Sequence, residues 1–178
     1  DIEAKLKKSW KRINEIRFRE IGFAVRDLKR GGRINEKLRL KVSKYKASGG
    51  KEYFLEIVNK NNILFGLCRL RIGKDGSRSG EDLGGGFIGG GSRGVVRELH
   101  VYGKALSVGE KGSGSGGLGG GVGQHTGLGK WLMGRAEERC GREGVKELKV
   151  ISGVGVREYY KKLGYSLGEE GIYMVKRL

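Results

Sequence analysis

Thirty-six glycines and not one proline constrain this 178-residue chain more than any other feature. Average usage would place about 12 glycines and about 9 prolines in this length. The excess is local, in Gly84-Gly85-Gly86, Gly89-Gly90-Gly91 and the run Gly112-Ser-Gly-Ser-Gly-Gly-Leu-Gly-Gly-Gly121. Such tracts have no side chains to bury and lose the most backbone entropy on ordering, so they read as loop filler, native or substituted for other residues. The fold must be built from the patterned segments between them.

Those segments alternate in period. Residues 5–30 place Leu6, Trp10, Ile13, Ile16 and Ile21 at helical spacing among basic side chains, which predicts an amphipathic helix ending near Gly31-Gly32. Leu38 to Tyr45 alternates apolar and polar, as a half-exposed strand does. The runs 52–58 and 63–72 flank Asn59-Lys-Asn-Asn62 and predict an antiparallel hairpin. A strand follows at Val95–Tyr102, then a long loop. A helix over Gly127–Gly141 comes next, with Leu128, Leu132, Ala136 and Cys140 on one stripe. Leu148–Ile151, a short helix over Val156–Leu163 closed by Gly164, and a last strand from Ile172 complete the order. This is an α/β chain with a mixed, mostly antiparallel sheet flanked by helices. Its expected organisation is a basic helical linker over 1–36 and one domain over 37–178.

Several classes are excluded. No run of ~18 apolar residues exists to span a bilayer. The opening Asp1-Ile-Glu-Ala-Lys-Leu-Lys-Lys has no apolar stretch of the signal-peptide kind, which makes the cytoplasm the expected compartment. Cys68 and Cys140 belong to no C-x-x-C pair, so two buried reduced thiols are expected, with no metal site. The net charge is +17, and residues 1–46 hold 16 basic and 6 acidic side chains, +10 of that total. A basic extension is an electrostatic footprint for nucleic acid, with Arg17, Arg19, Arg26, Lys29, Arg30 and Arg33 as candidate phosphate contacts.

Chemistry concentrates at the strand–loop–helix junction, Gln124-His-Thr-Gly-Leu-Gly129. Glycines at the opening of a helix let backbone N–H groups approach a diphosphate, and the positive end of the helix favours its charge. The spacing is that of neither a Walker A loop nor a dinucleotide fingerprint. Q-x-x-G-x-G at such a junction resembles the acyl-CoA pyrophosphate loop of the GNAT acetyltransferase superfamily. Tyr159-Tyr-Lys-Lys-Leu-Gly-Tyr165, about 30 residues on, is similar to that superfamily's late aromatic element. Longer strings narrow the likeness. Arg97-Glu-Leu-His-Val-Tyr-Gly103, Val150–Tyr165, Ala47–Glu56 and Phe65–Ile72 resemble the C-terminal acetyltransferase domain of the Elongator catalytic subunit, over roughly residues 15–178.

The resemblance implies a GNAT-like fold, acetyl-CoA as acyl donor, and tRNA as partner. It places the pyrophosphate on Gly127, Gly129 and the backbone of Leu128, with Gln124, His125 and Thr126 also among the cofactor-binding residues. The pantetheine arm would run along the backbone of Leu99, Val101 and Tyr102. Tyr160 is the expected thioester-proximal hydroxyl, with Tyr159 beside it, while Glu98 and His100, two apart on a strand, are candidate acid–base groups. The family's full-length enzyme carries a radical-SAM domain with S-adenosylmethionine and a cysteine-ligated iron–sulfur cluster, and no such cysteine triad occurs here. That domain and other Elongator-type subunits are implied partners. Where the family often has a cysteine-rich zinc segment, the chain reads Arg12-Ile-Asn-Glu-Ile-Arg-Phe-Arg-Glu-Ile-Gly22. Two other readings remain open from the residues alone: a conventional N-acetyltransferase acting on lysine or a small amine, and a non-catalytic tRNA-binding module.

Overall fold

Asn59 shows how the sheet is started. Its buried Oδ1 accepts the amides of Asn61 (2.9 Å) and Ile63 (3.0 Å), closing a tight connection in which Asn62 takes φ 62°. This turn, favoured by the side-chain chemistry of asparagine, joins β2 (Gly50–Val58) to β3 (Leu64–Lys74) as the expected hairpin. The computed structural model describes residues 15–26, 37–47, 49–74, 92–102 and 127–178. The three glycine tracts, the loop 104–123 and residues Gln124, His125 and Thr126 lie outside them.

Strand β1 (Arg39–Ala47) pairs antiparallel with β2 from Arg39↔Val58 to Ala47↔Gly50, and β4 (Ser92–Val101) pairs antiparallel with β3. The chain then enters α3 (Leu128–Arg142), the first two helices being α1 (Ile16–Arg19) and α2 (Ile21–Arg26). It returns as β5 (Glu147–Ile151), a 3-10 turn (Val154–Val156), α4 (Arg157–Lys162), β6 (Ser166–Leu167) and β7 (Tyr173–Arg177). The sheet order is β1-β2-β3-β4-β5-β7-β6, antiparallel except where β5 joins β4. The two-residue β6 is too short to leave a periodic signal.

Helix α3 covers the centre of this sheet. Leu128, Leu132, Met133, Ala136 and Cys140 are buried on one stripe, against Leu55, Cys68, Leu70, Val96 and Leu148 in a single cluster. Each fully buried Leu or Met contributes roughly 1.5–3 kcal/mol by transfer from water. Cys68 and Cys140 are both buried and unbridged, as expected. Gly164, at φ 85°, follows α4 as the predicted left-handed cap.

The N-terminal segment departs from expectation. Instead of one amphipathic helix, residues 15–26 form α1 and α2, broken at Glu20. That residue is extended (ψ 143°) and bridges Leu64 in parallel. A tertiary contact overrides the helical period here. Ile21 is 2% exposed and joins the main core, and Ala24 is also buried. The expected boundary at residue 36 therefore follows a segment that packs on the sheet.

Arg19 corrects a sequence expectation. It is 7% exposed, with Nη1 2.7 Å from Glu56 Oε1, Nε donating to Asn62 O (3.2 Å) and Nη2 to Asn62 Oδ1 (3.1 Å). A guanidinium so occupied is not a phosphate contact. Arg17 is exposed, whereas the side chain of Arg26, and Lys29, Arg30 and Arg33, lie outside the described residues.

Candidate functional site

Strands β4 and β5 run side by side for only three residue pairs, Gly94–Val96 against Leu148–Val150. Beyond Val96, β4 continues to Val101 with its other edge still on β3. The cause of the divergence is local. Arg69 pairs with Glu98 and Leu70 with Val96, so Arg97 is an extra residue, a bulge that bends β4 and sharpens its twist. Among the described residues no strand pairs with β4 past Val96 on the β5 side, which leaves a slit bordered by one open backbone edge.

The slit opens toward the start of α3. Gly127 precedes that helix at φ 95°, a left-handed conformation that residues with a Cβ rarely adopt. The amides of Leu128, Gly129 and Lys130 precede the first intrahelical bond, Trp131 N to Gly127 O (2.9 Å). The first turn carries no acidic side chain. Among the described residues nothing accepts from these donors, and the positive end of the helix is suited to an anion.

Gly129 is fixed by a close approach. A Cβ there would lie 2.5 Å from the Tyr159 hydroxyl, 3.4 Å from its Cζ and 3.7 Å from Val101 Cγ2. Three separate elements, β4, α3 and α4, therefore meet at one point. Leu99, Val101 and Tyr102 are half-buried against the core that α3 covers, and Tyr102 N donates to Phe65 O (2.9 Å).

The two tyrosines occupy different environments. Tyr160 is 6% exposed, edge-on to both Tyr159 and Tyr165, and burial pushes its phenol up to about 12. Tyr159, 36% exposed, sends its hydroxyl to the slit, and burial also raises its pKa, so it stays a proton donor at neutral pH. Adjacent helical residues point about 100° apart, and here the second of the pair faces inward. Of the two, it is Tyr159 whose hydroxyl reaches the junction at Gly129.

Glu98 and His100 do come together, Nε2 lying 3.4 Å from Oε1, and Arg69 Nη1 is 3.5 Å from Glu98 Oε2. By strand alternation they face away from Leu99 and Val101, on the side of the sheet opposite α3. The fold does not gather them with Tyr159. Among the described residues no cluster of three metal-ligating side chains occurs. The bulge at Arg97, which creates the slit, was missed because Val-Val-Arg-Glu-Leu-His-Val carries no glycine or break to mark it.

No family model matches the chain. It is 43% identical over 164 residues to the tRNA uridine(34) acetyltransferase of Dehalococcoides mccartyi, covering 92% of this chain and 32% of that protein. It is 38% identical over 183 residues to Elongator complex protein 3 of Homo sapiens, covering 98% and 29% respectively. Among solved structures, the archaeal Methanocaldococcus infernus Elp3 lacking its N-terminus superposes with TM-score 0.73 at 33% identity, over 99% of this chain and 38% of that one. The chain spans about a third of the length of these relatives. An identity of this size across nearly every residue, on a matching fold, means that the chain belongs to the family of the tRNA uridine(34) acetyltransferases and Elongator complex protein 3, over the third of their length that it matches.

Proposed function

We propose that this chain is the acetyl-CoA-binding acetyltransferase part of an enzyme that modifies the wobble uridine of tRNA. The observation that carries the reading is the convergence of the open β4 edge, the amide-rich start of α3 and the Tyr159 hydroxyl on Gly129. The relatives' names supply the substrate class. The residues suit a diphosphate thioester: Gly127 and Gly129 leave backbone donors uncovered where a side chain would crowd them. Leu128 contributes its amide, and Leu99, Val101 and Tyr102 offer strand backbone to an extended amide-containing arm. Gln124, His125 and Thr126 extend the same loop by resemblance.

When bound, acetyl-CoA supplies the acetyl group as an activated thioester. The chain's own part is to orient and to hold a proton. Tyr159 Oη keeps its hydrogen at neutral pH because burial opposes the phenolate, and so can donate to a sulfur that gains negative charge. By resemblance, the radical chemistry at the uridine belongs to a S-adenosylmethionine and iron–sulfur domain. That domain, tRNA and other Elongator-type subunits are the partners, in a cytoplasmic setting.

Gly129→Ala tests the reading. The new Cβ must displace the Tyr159 hydroxyl, while alanine in a helix gains up to ~1 kcal/mol over glycine. Calorimetric titration with acetyl-CoA should therefore show weakened binding in a variant that remains folded by circular dichroism. Equal affinity in the variant would place the acyl-donor site elsewhere.

A further inference from the structure

A second concave site lies at the other end of α3. Strand β1 is the outer edge of the sheet, and on it Leu40 is partly buried against the core while Val42 is 39% exposed. With the buried Leu55 they floor a cavity of about 250 Å³, small among ligand clefts. Its wall is the last two turns of α3: Arg135, Glu138, Arg139 and Arg142. Spacings of four and three residues put the three arginines on one face, spread over about 10 Å of helix axis.

The rim is held in place yet remains cationic. Glu138 accepts from Arg135 (2.6 Å) and from Arg142, so one carboxylate serves two guanidinium groups that are 46% and 63% exposed. Arg139 is held over the Tyr53 ring, 5.0 Å from its centroid. Lys44 and Lys51 stand on the same side around Glu143. Five cationic groups thus face two carboxylates.

We propose that this groove docks the ribose-phosphate backbone of the tRNA on which the chain acts, at a place distinct from the acyl-donor slit. The inference rests on the tRNA reading above and adds where the RNA lies. Guanidinium forks match phosphate oxygens in two-point geometry, which favours this occupant for a wall built of arginines. The aliphatic floor offers Val42, 39% exposed, to a sugar or base face that an acidic peptide lacks. Helix α3 then acts as a spacer, with the slit at Leu128 and Arg142 about 20 Å away along its axis.

The test is tRNA binding by this chain as a function of salt, measured by fluorescence anisotropy, with acetyl-CoA titration in parallel. Arg135→Gln/Arg142→Gln removes two exposed charges and keeps helix-forming side chains. It should lower the log–log salt slope by about 1.4–1.8, or 0.7–0.9 for each contact. At about 0.1 M salt this is roughly 25- to 60-fold weaker binding, with 1 M as the reference, and acetyl-CoA affinity should be retained. Val42→Glu, on the exposed edge strand, should weaken tRNA binding independently. Unchanged slope and affinity in both variants would overturn the proposal, as would a parent chain that binds acetyl-CoA but not tRNA. Equal loss of polyglutamate binding in the arginine variant would overturn the choice of RNA as occupant. Failure of the parent to bind acetyl-CoA would instead strike the functional reading, leaving the groove to be judged by its tRNA arm.

Discussion

Replacing Arg19 with alanine separates a structural arginine from a nucleic-acid contact. Glu56, 2% exposed on β2, faces the guanidinium at 2.7 Å and has Lys41 Nζ at 3.3 Å as its other cation. Removing one partner of a buried pair costs about 3–5 kcal/mol, because the remaining charge is stranded. Lys41, with a 41% exposed side chain, stays in reach and can follow the carboxylate, which puts the expected loss nearer ~3 kcal/mol. For a chain of this size that is a fall in melting temperature of roughly 6–12 °C. Urea titration followed by circular dichroism measures it directly. Adding Glu56→Gln to the alanine variant removes the stranded charge and should recover about 1 kcal/mol or more, a coupling typical of contacting residues. A single variant within about 0.5 kcal/mol of the parent would refute the argument, since that is the range of an ordinary surface substitution. The reasoning also implies that deletion through residue 26 unsettles the sheet.

Two other outcomes follow from the buried phenols and thiols. Tyr159→Phe should lower acetyl-CoA hydrolysis by this chain, read as thiol release, by up to ~10²–10⁴ with little change in stability. Tyr160→Phe should spare turnover, and the reverse pattern would return the role to Tyr160. Burial pushes Cys68 and Cys140 from 9.0 to about 12, so the folded state holds protons that the unfolded chain releases. Their stabilisation is complete below about pH 9 and is lost as pH rises toward 12. The urea midpoint should fall across that window. Cys68→Ala/Cys140→Ala should hold its own midpoint level up to about pH 10, where tyrosines begin to ionise. A parent midpoint that stays flat from 9 to 12 would sink the assignment.

What the sequence made legible was the part governed by local chemistry. A period-two run placed β1, runs rich in β-branched, aromatic and other apolar residues placed β2 to β4, the Asn59–Asn62 turn placed the hairpin, and the Leu128–Cys140 stripe placed α3 to within a residue. What it concealed depends on distant partners. Arg19 looks like its basic neighbours until Glu56, thirty-seven positions on, claims it. The break at Glu20 arises from its bridge to Leu64. Motif matching narrowed the hydroxyl to Tyr159 or Tyr160, but which one faces the slit is set by how α4 seats on the core. The groove beside Arg135 and Arg142 was equally hidden, since it is lined jointly by the edge strand β1 and the end of α3, which lie far apart in sequence.

The short β4–β5 ladder makes the sheet two leaves joined by a narrow seam. One leaf is the meander β1–β4, and the other is β5, β7 and β6. Helix α3 lies on the first leaf, and Glu137 straps it to the second by accepting from Tyr165 Oη (2.8 Å) and Lys176 Nζ (3.0 Å). The seam lies beneath α3, with Val96, Leu148 and Val150 in the main core, so the slit is anchored at its closed end and open only where β4 runs on past Val96. Amide exchange would register it as two populations, with seam amides at Gly94–Val96 protected and slit-facing amides of β4 beyond Val96 exchanging ahead of them, slowing when an occupant bridges the gap.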